Sequence, residues 1–351
     1  EQFAERKWYR QAGEFAHQGE FRRPGCGESL VGYRQGRHLL VRFQPSWVWQ
    51  ELQGEVADSL FIPAAPRANS LLWFKRIGIS CLVHDPTPGG AIALRALLEN
   101  PGEPFAEELK HQINRTIRQS VEMDLNPFRT WLDRPFSRRQ LDHLFFWREA
   151  GFEIEAPLQR ELFGLAIQDV LHFWLNKREP EADLGVSPDE ILGYYLNRLN
   201  DKIFPGREPV KVLSRLPSGG EAPVEAGVGL VCFRSEEIPE REFSADEYFH
   251  AWLSGDGDLT KARKDLEIAW RDWTINWKKP LMVEPLLPVL RGCKQVVFTW
   301  SGEDLPPRVY EEQVIKPIQF VFQPWFSKSE WRYKGANRLE EQYDFLLILR
   351  R

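Results

Sequence analysis

The sequence predicts an α+β fold in which strand-rich N- and C-terminal parts flank an all-helical central region. Three observations carry that expectation. Between about 103 and 204 apolar residues recur at helical spacing, whereas before 84 and beyond 205 most of the apolar runs have the short length or period-two alternation of strands. The order of the segments, strands then helices then strands, a helical pair and strands again, lacks the regular alternation of a doubly wound parallel sheet. The chain accordingly divides into a strand-rich region at 1–102, a helical region at 103–205 and an α+β region at 206–351.

Taken in order, residues 1–20 read as a short charged helix with Phe3, Trp8 and Phe15, followed by a Pro/Gly turn at 22–27. Strand signals run from Ser29 to Val83: Leu39, Val41 and Phe43 alternate with Leu40 and Arg42, and Ile77 to Val83 is a short apolar run ending in His84-Asp85-Pro86-Thr87-Pro88-Gly89-Gly90. Ala91 to Asn100 reads as a helix, and so does Phe105 to Val121. Ser137 with Gln140, Ser187 with Glu190 and Ser244 with Glu247 have the spacing of capping boxes, in which a hydroxyl and a carboxyl or amide satisfy each other's orphan N–H groups.

The clearest element is Pro157 to Asn176. Leu158, Leu162, Leu165, Ala166, Val170, Phe173 and Trp174 form one stripe, and Phe163, Ile167, Leu171 and Leu175 form a second. A helix apolar on two flanks is buried between two neighbours, with Gln159, Arg160, Gln168 and Asp169 left for water. Further on, strands are expected at Val210 to Leu216 and Val228 to Phe233, a helix from Leu259 to Trp277, and strands at 295–300, 318–323 and 343–349.

At 42% hydrophobic residues the chain has ample apolar area for a core, and its net charge of −5 argues against a surface given over wholly to nucleic acid or anionic membrane. Cys26, Cys81, Cys232 and Cys293 are too far apart for a local zinc motif, so they read as buried free thiols of a reducing, cytoplasmic compartment. No apolar run approaches the roughly 18 residues of a membrane span. The chain opens on Glu1 rather than Met, which leaves open what precedes it.

Asp256, Asp258, Thr260 and Glu267 stand at the first, third, fifth and twelfth positions of a stretch that resembles an EF-hand calcium loop. Lys261 occupies the place where that loop needs glycine, and Arg263 and Lys264 oppose a cation, so an ordinary helical connection is expected and no metal. Asp169 and His172, three apart on one helix, read as a hydrogen-bonded pair at the edge of a core face. Trp270, Trp273 and Trp277 have helical core spacing.

His84 and Asp85 follow an apolar strand and precede two glycines and a helix, a place where catalytic groups gather. Trp325, Phe326, Trp331, Arg332 and Tyr333 fall in an expected polar loop and are the residue types of interface hot spots. The leading expectation is therefore a non-catalytic, protein-binding or regulatory protein using those five residues, with no cofactor. The alternatives are an enzyme with a dispersed acid–base site near His84 and Asp85, and a nucleic-acid-binding component using the arginines of 110–148 and the 325–334 loop.

Overall fold

Two clusters of buried side chains, one on each face of a single mixed sheet, organise the fold. The computed structural model describes residues 45–52, 59–111, 113, 126–132, 135–175, 186–217, 222–235, 242–275, 281, 283–302, 307–337 and 342–351. The calls on Phe3, Trp8, Phe15, the 22–27 turn, the 39–43 strand, Cys26 and Trp277 lie outside them.

The sheet takes β1 (Ser59–Ile62), β2 (Ser80–Val83), β3 (Val210–Val212) and β4 (Val228–Cys232) as parallel strands. The two-residue strands β5 (Arg234–Ser235) and β6 (Thr274–Ile275) pair with each other apart from it. Strand β7 (Gln295–Gly302) adds to β4 in parallel, and β9 (Gln342–Arg350) and β8 (Lys328–Asn337) close the sheet antiparallel, in the order β3-β2-β1-β4-β7-β9-β8. Strands from before and after the helical stretch thus lie side by side.

Period-two alternation explains the two cores. Along β9, Phe345, Leu347 and Leu349 enter one cluster, while Leu346 and Ile348 enter the other. All five residues of β4 are buried because helices cover both faces of a central parallel strand.

Helices α1 (Pro45–Glu51), α2 (Ala68–Ile77), α3 (Pro88–Leu94, continued by a π turn Arg95–Glu99), α4 (Arg138–Glu153), α5 (Pro157–Leu175), α6 (Pro188–Asn200), α7 (Ala245–Ser254) and α8 (Leu259–Trp270) contribute to the first cluster. Helices α9 (Leu287–Leu290), α10 (Pro307–Tyr310) and α11 (Lys316–Phe322) contribute to the second. All three expected capping boxes form, at Ser137, Ser187 and Ser244. Helix α5 is buried on both stripes, from Leu162 through Leu171 to Trp174, and packs against α3, α4, α6 and α7. Its polar residues tie down neighbouring chain: Gln159 holds the main chain of Pro104 and Ala106, and Arg160 holds the Ile154 carbonyl.

Four local expectations are corrected. Among the described residues of 29–83 only β1 and β2 are strands, and helices occupy Pro45–Glu51 and Ala68–Ile77. The alternating run Ile318, Phe320, Phe322 is helix α11, because Ile318 and Phe322, four apart, continue the buried face of Val314 and leave Phe320 79% exposed. Pro317 suits a first helical turn and could not serve a central strand. The helix expected to reach Trp277 ends at Trp270, where a 3₁₀ turn and β6 take over. Finally, the supposed loop of 325–334 is mostly edge strand β8: its alternation of aromatic and charged residues is that of a strand with unlike faces, Trp331 opposite Leu347 toward the second core and Arg332 opposite Leu346 on the other face.

Candidate active site at the carboxyl edge of the sheet

The chain runs outward from β1 through β2 to β3, then returns to lay β4 against the other side of β1 and continues to β7. Such a reversal opens a crevice outside the carboxyl ends of the flanking strands, where α/β sheets bind ligands. The segments leaving β1, β2 and β4 carry Arg67, His84 with Asp85, and Arg234 to this edge.

His84 is fixed by main chain on both sides: its N–H donates to the Ile62 carbonyl at 2.9 Å, and its carbonyl accepts from Ala65 at 2.8 Å. Its Nδ1 lies 2.8 Å from the Pro63 carbonyl, which accepts only, so Nδ1 carries the hydrogen. Burial lowers the imidazole pKa, outweighing the raising effect of that bond. The ring is therefore neutral at pH 7, with the lone pair on Nε2.

Asp85 turns inward. Its Oδ1 accepts from the Thr87 N–H at 2.8 Å and the Thr87 hydroxyl at 2.6 Å, and Thr87 Oγ1 in turn caps α3 by accepting from Gly90. A Cβ on Gly90 would stand 2.0 Å from the Asp85 carboxyl carbon, so this approach needs glycine. Burial pushes Asp85 up to about 6, opposed by the Thr87 bonds and by the charge of Arg234.

Asp246, in the first turn of α7, takes a hydrogen bond from Gln168 Nε2 at 3.0 Å and has His172 Nε2 at 3.5 Å. Its side chain is 51% open to solvent. Burial would raise its pKa, but His172, Arg234 and Gln168 together hold it well below the usual carboxylate range. The Arg234 guanidinium lies 3.2 Å from the Trp270 ring centroid, and its charge acts on both Asp85 and Asp246. Asp169 is raised by burial and opposed by the cations Lys202, His172, Arg198 and Arg67.

The structure therefore gathers Asp85, Asp246, Arg234, His172 and Asp169, from two strand ends and two helices. His84 stands beside them, its Nδ1 turned to Pro63 rather than to a carboxylate. Sequence reading singled out His84 and Asp85, took Asp169 and His172 as a hydrogen-bonded pair at the edge of a core face, whereas His172 Nε2 lies against Asp246, and missed Arg234 and Asp246. The only signals for these two were a cation directly after a buried strand and an acid inside the Ser244–Glu247 capping box. Two carboxyls whose surroundings drive them apart, Asp85 toward protonation and Asp246 toward ionisation, are the arrangement that supplies a proton donor and a charged partner at one pH.

The remaining candidates are placed as follows. Asp256 accepts from Ser254 Oγ, the Asp258 N–H and Lys261 Nζ, and Asp258 caps α8 through the Lys261 N–H. Among the described residues no three His, Cys, Asp or Glu side chains are grouped to hold a metal ion. Cys81 and Cys293 are free and buried, their thiols pushed up to about 12 by burial. Trp270 and Trp273 are buried in the second core. Of the proposed interface residues, Phe326 is buried, Trp331 is half-buried, Trp325 is 40% exposed, and exposed Arg332 pairs with Glu51 and Glu330; the side chain of Tyr333 lies outside the described residues. No protein-family model matches the chain and no characterised protein is similar to it in sequence, so function is argued from this geometry.

Proposed function

We propose that this chain is an enzyme that performs proton-transfer chemistry on a small molecule at the carboxyl edge of the sheet. The observation that carries it is the convergence of Asp85, Asp246, His172 and Arg234, with His84 alongside, at the point where the strand order reverses. His84 Nε2 is the base that accepts a proton from substrate. Asp85, titrating near pH 6, returns one, and Asp246 stays charged and orients His172. The test is turnover of a small-molecule library, followed by mass spectrometry, for wild type, His84→Gln and Asp246→Asn at matched melting temperature. Loss of a wild-type turnover in both variants is expected. A turnover that survives both overturns the assignment.

A second function, association with a partner protein, is supported by the exposure of Phe320 (79%), on α11, and Trp325 (40%), just beyond its end. Replacing both by serine should leave melting unchanged and abolish binding to any defined stoichiometric partner; unchanged binding excludes this surface.

A further inference from the structure

Away from the sheet edge, a histidine on α4 has an acceptor at each ring nitrogen. His143 Nδ1 lies 2.7 Å from the Arg139 carbonyl, one turn back on α4, and Nε2 lies 3.5 Å from Asp189 Oδ2, in the first turn of α6. A carbonyl and an ionised carboxylate can only accept, so both contacts are attractive together only when both nitrogens carry hydrogen and the ring is an imidazolium. The side chain is 14% exposed, which leaves little room for water to replace either partner.

The neutral ring fits in neither tautomer. With its hydrogen on Nδ1, the Nε2 lone pair faces the Asp189 carboxylate; with its hydrogen on Nε2, the Nδ1 lone pair faces the Arg139 carbonyl at 2.7 Å. The shorter contact lies within one helix and holds its tautomer, so the contact that gives way is the one to α6. Asp189 nevertheless stays within reach, because its Oδ1 accepts from Trp147 Nε1 at 3.2 Å, and Trp147 is fully buried and stacked on Trp174 of α5 at 5.8 Å. The contact can therefore open and close reversibly. The charged groups acting on the ring are Asp189, from α6, and Arg139, from α4 itself. Burial lowers the imidazole pKa, but the Asp189 carboxylate and the Arg139 carbonyl outweigh it and raise the pKa overall; burial likewise raises Asp189, and His143 and Trp147 outweigh it to hold that carboxyl below its usual range.

We propose that His143 and Asp189 form a proton-operated latch, which binds the first turn of α6 to α4 while the imidazole is protonated and loosens it when the proton leaves. Helix α6 packs along α5, the helix that carries Asp169 and His172, so the latch acts on a support of the candidate site whether or not that site is catalytic. A histidine whose folded-state pKa is raised above 6.5 contributes stability that is complete below 6.5 and is lost as pH rises through the folded value. Two measurements on the whole chain test this. The His143 ring protons are followed by NMR from pH 5 to 9, and hydrogen exchange of the α6 amides from Ile191 onward, corrected for the intrinsic effect of pH, is compared at pH 6 and 8.5. His143 should titrate above 6.5 in wild type, and its titration should move down in Asp189→Asn. Exchange in α6 should quicken by at least about threefold between the two pH values in wild type and stay constant in His143→Gln, whose side chain cannot take up the proton. A His143 titration at or below 6.5, or the same ratio of exchange rates in wild type and His143→Gln, overturns the proposal. The first of these outcomes needs wild type alone, so the test holds even where a variant does not fold.

Discussion

Replacing Gly90 by alanine tests the best-defined contact of the candidate site. The added Cβ would lie 2.0 Å from Asp85 Cγ and 2.1 and 2.2 Å from its oxygens, against the 3.0 Å below which real Cβ contacts essentially do not occur. The carboxyl must therefore move by about an ångström, or the first turn of α3 must lift. Either shift disturbs the 2.8 and 2.6 Å bonds from Thr87 and, through them, the cap on α3. Overpacking costs about 1–3 kcal/mol, and weakening hydrogen bonds to a charged group adds about 1.5–3 kcal/mol. A loss of about 3–5 kcal/mol is expected, roughly a 4–7 °C fall in melting temperature for a chain of this size. Gly193, inside α6, is the matched control: nothing lies within 4 Å of its added Cβ, so Gly193→Ala should gain about 0.5–1 kcal/mol from helix propensity. Urea denaturation of both variants, and of Gly90→Ala combined with Asp85→Ala, measures the contact as a double-mutant cycle. The combined variant should be less damaged than the sum of its parts by at least about 1 kcal/mol. Equal stabilities for Gly90→Ala and Gly193→Ala, or strict additivity in the cycle, would refute the placement of Asp85 against α3.

Asp85 should also leave a mark on the pH dependence of stability. Its folded-state pKa is raised from 3.8 to about 6, so the stability that its protonated form contributes is fully present below 3.8 and is lost as pH rises through 6. At about 1.4 kcal/mol per pH unit over that interval, the change is on the order of 3 kcal/mol. Stability of wild type relative to Asp85→Asn should fall by that order between pH 4 and 7, and a flat difference would mean that burial does not raise the carboxyl's pKa. Leu171, fully buried on the second stripe of α5, gives a further check. Leu171→Asp should cost at least about 3 kcal/mol by burying an unpaired charge, and a near-wild-type melting temperature would mean that flank faces water.

What the sequence determined by itself was local. The two stripes of α5 and the capping boxes at Ser137, Ser187 and Ser244 depend on residues within four positions of one another, and all of them form as spaced. Strands β4, β7 and β9 were legible for the same reason, β4 as a short continuous apolar run and β7 from its alternation, with β9 as a strand-length apolar cluster. The short run 318–322 was not, because three alternating apolar residues also fit one face of a helix, and only Val314 and Pro317 beside them, with the core they meet, choose between the two. Nor was the alternation at Trp331 and Arg332, which has the same pattern whether it belongs to a loop with mixed residues or to a strand with one buried face. Strand order was decided by tertiary structure alone: hydrogen bonds join β1 to β4 across more than 160 residues, and nothing within either strand names its partner. The candidate site is likewise a product of that order. His84 and Asp85 could be suspected from the turn they occupy, but Arg234 and Asp246 become neighbours of Asp85, and His172 of Asp246, only because β4 returns beside β1 and α5 and α7 pack together. Proton affinities follow in turn, since burial and the charge of a distant arginine are properties of the assembled edge and not of any segment that builds it.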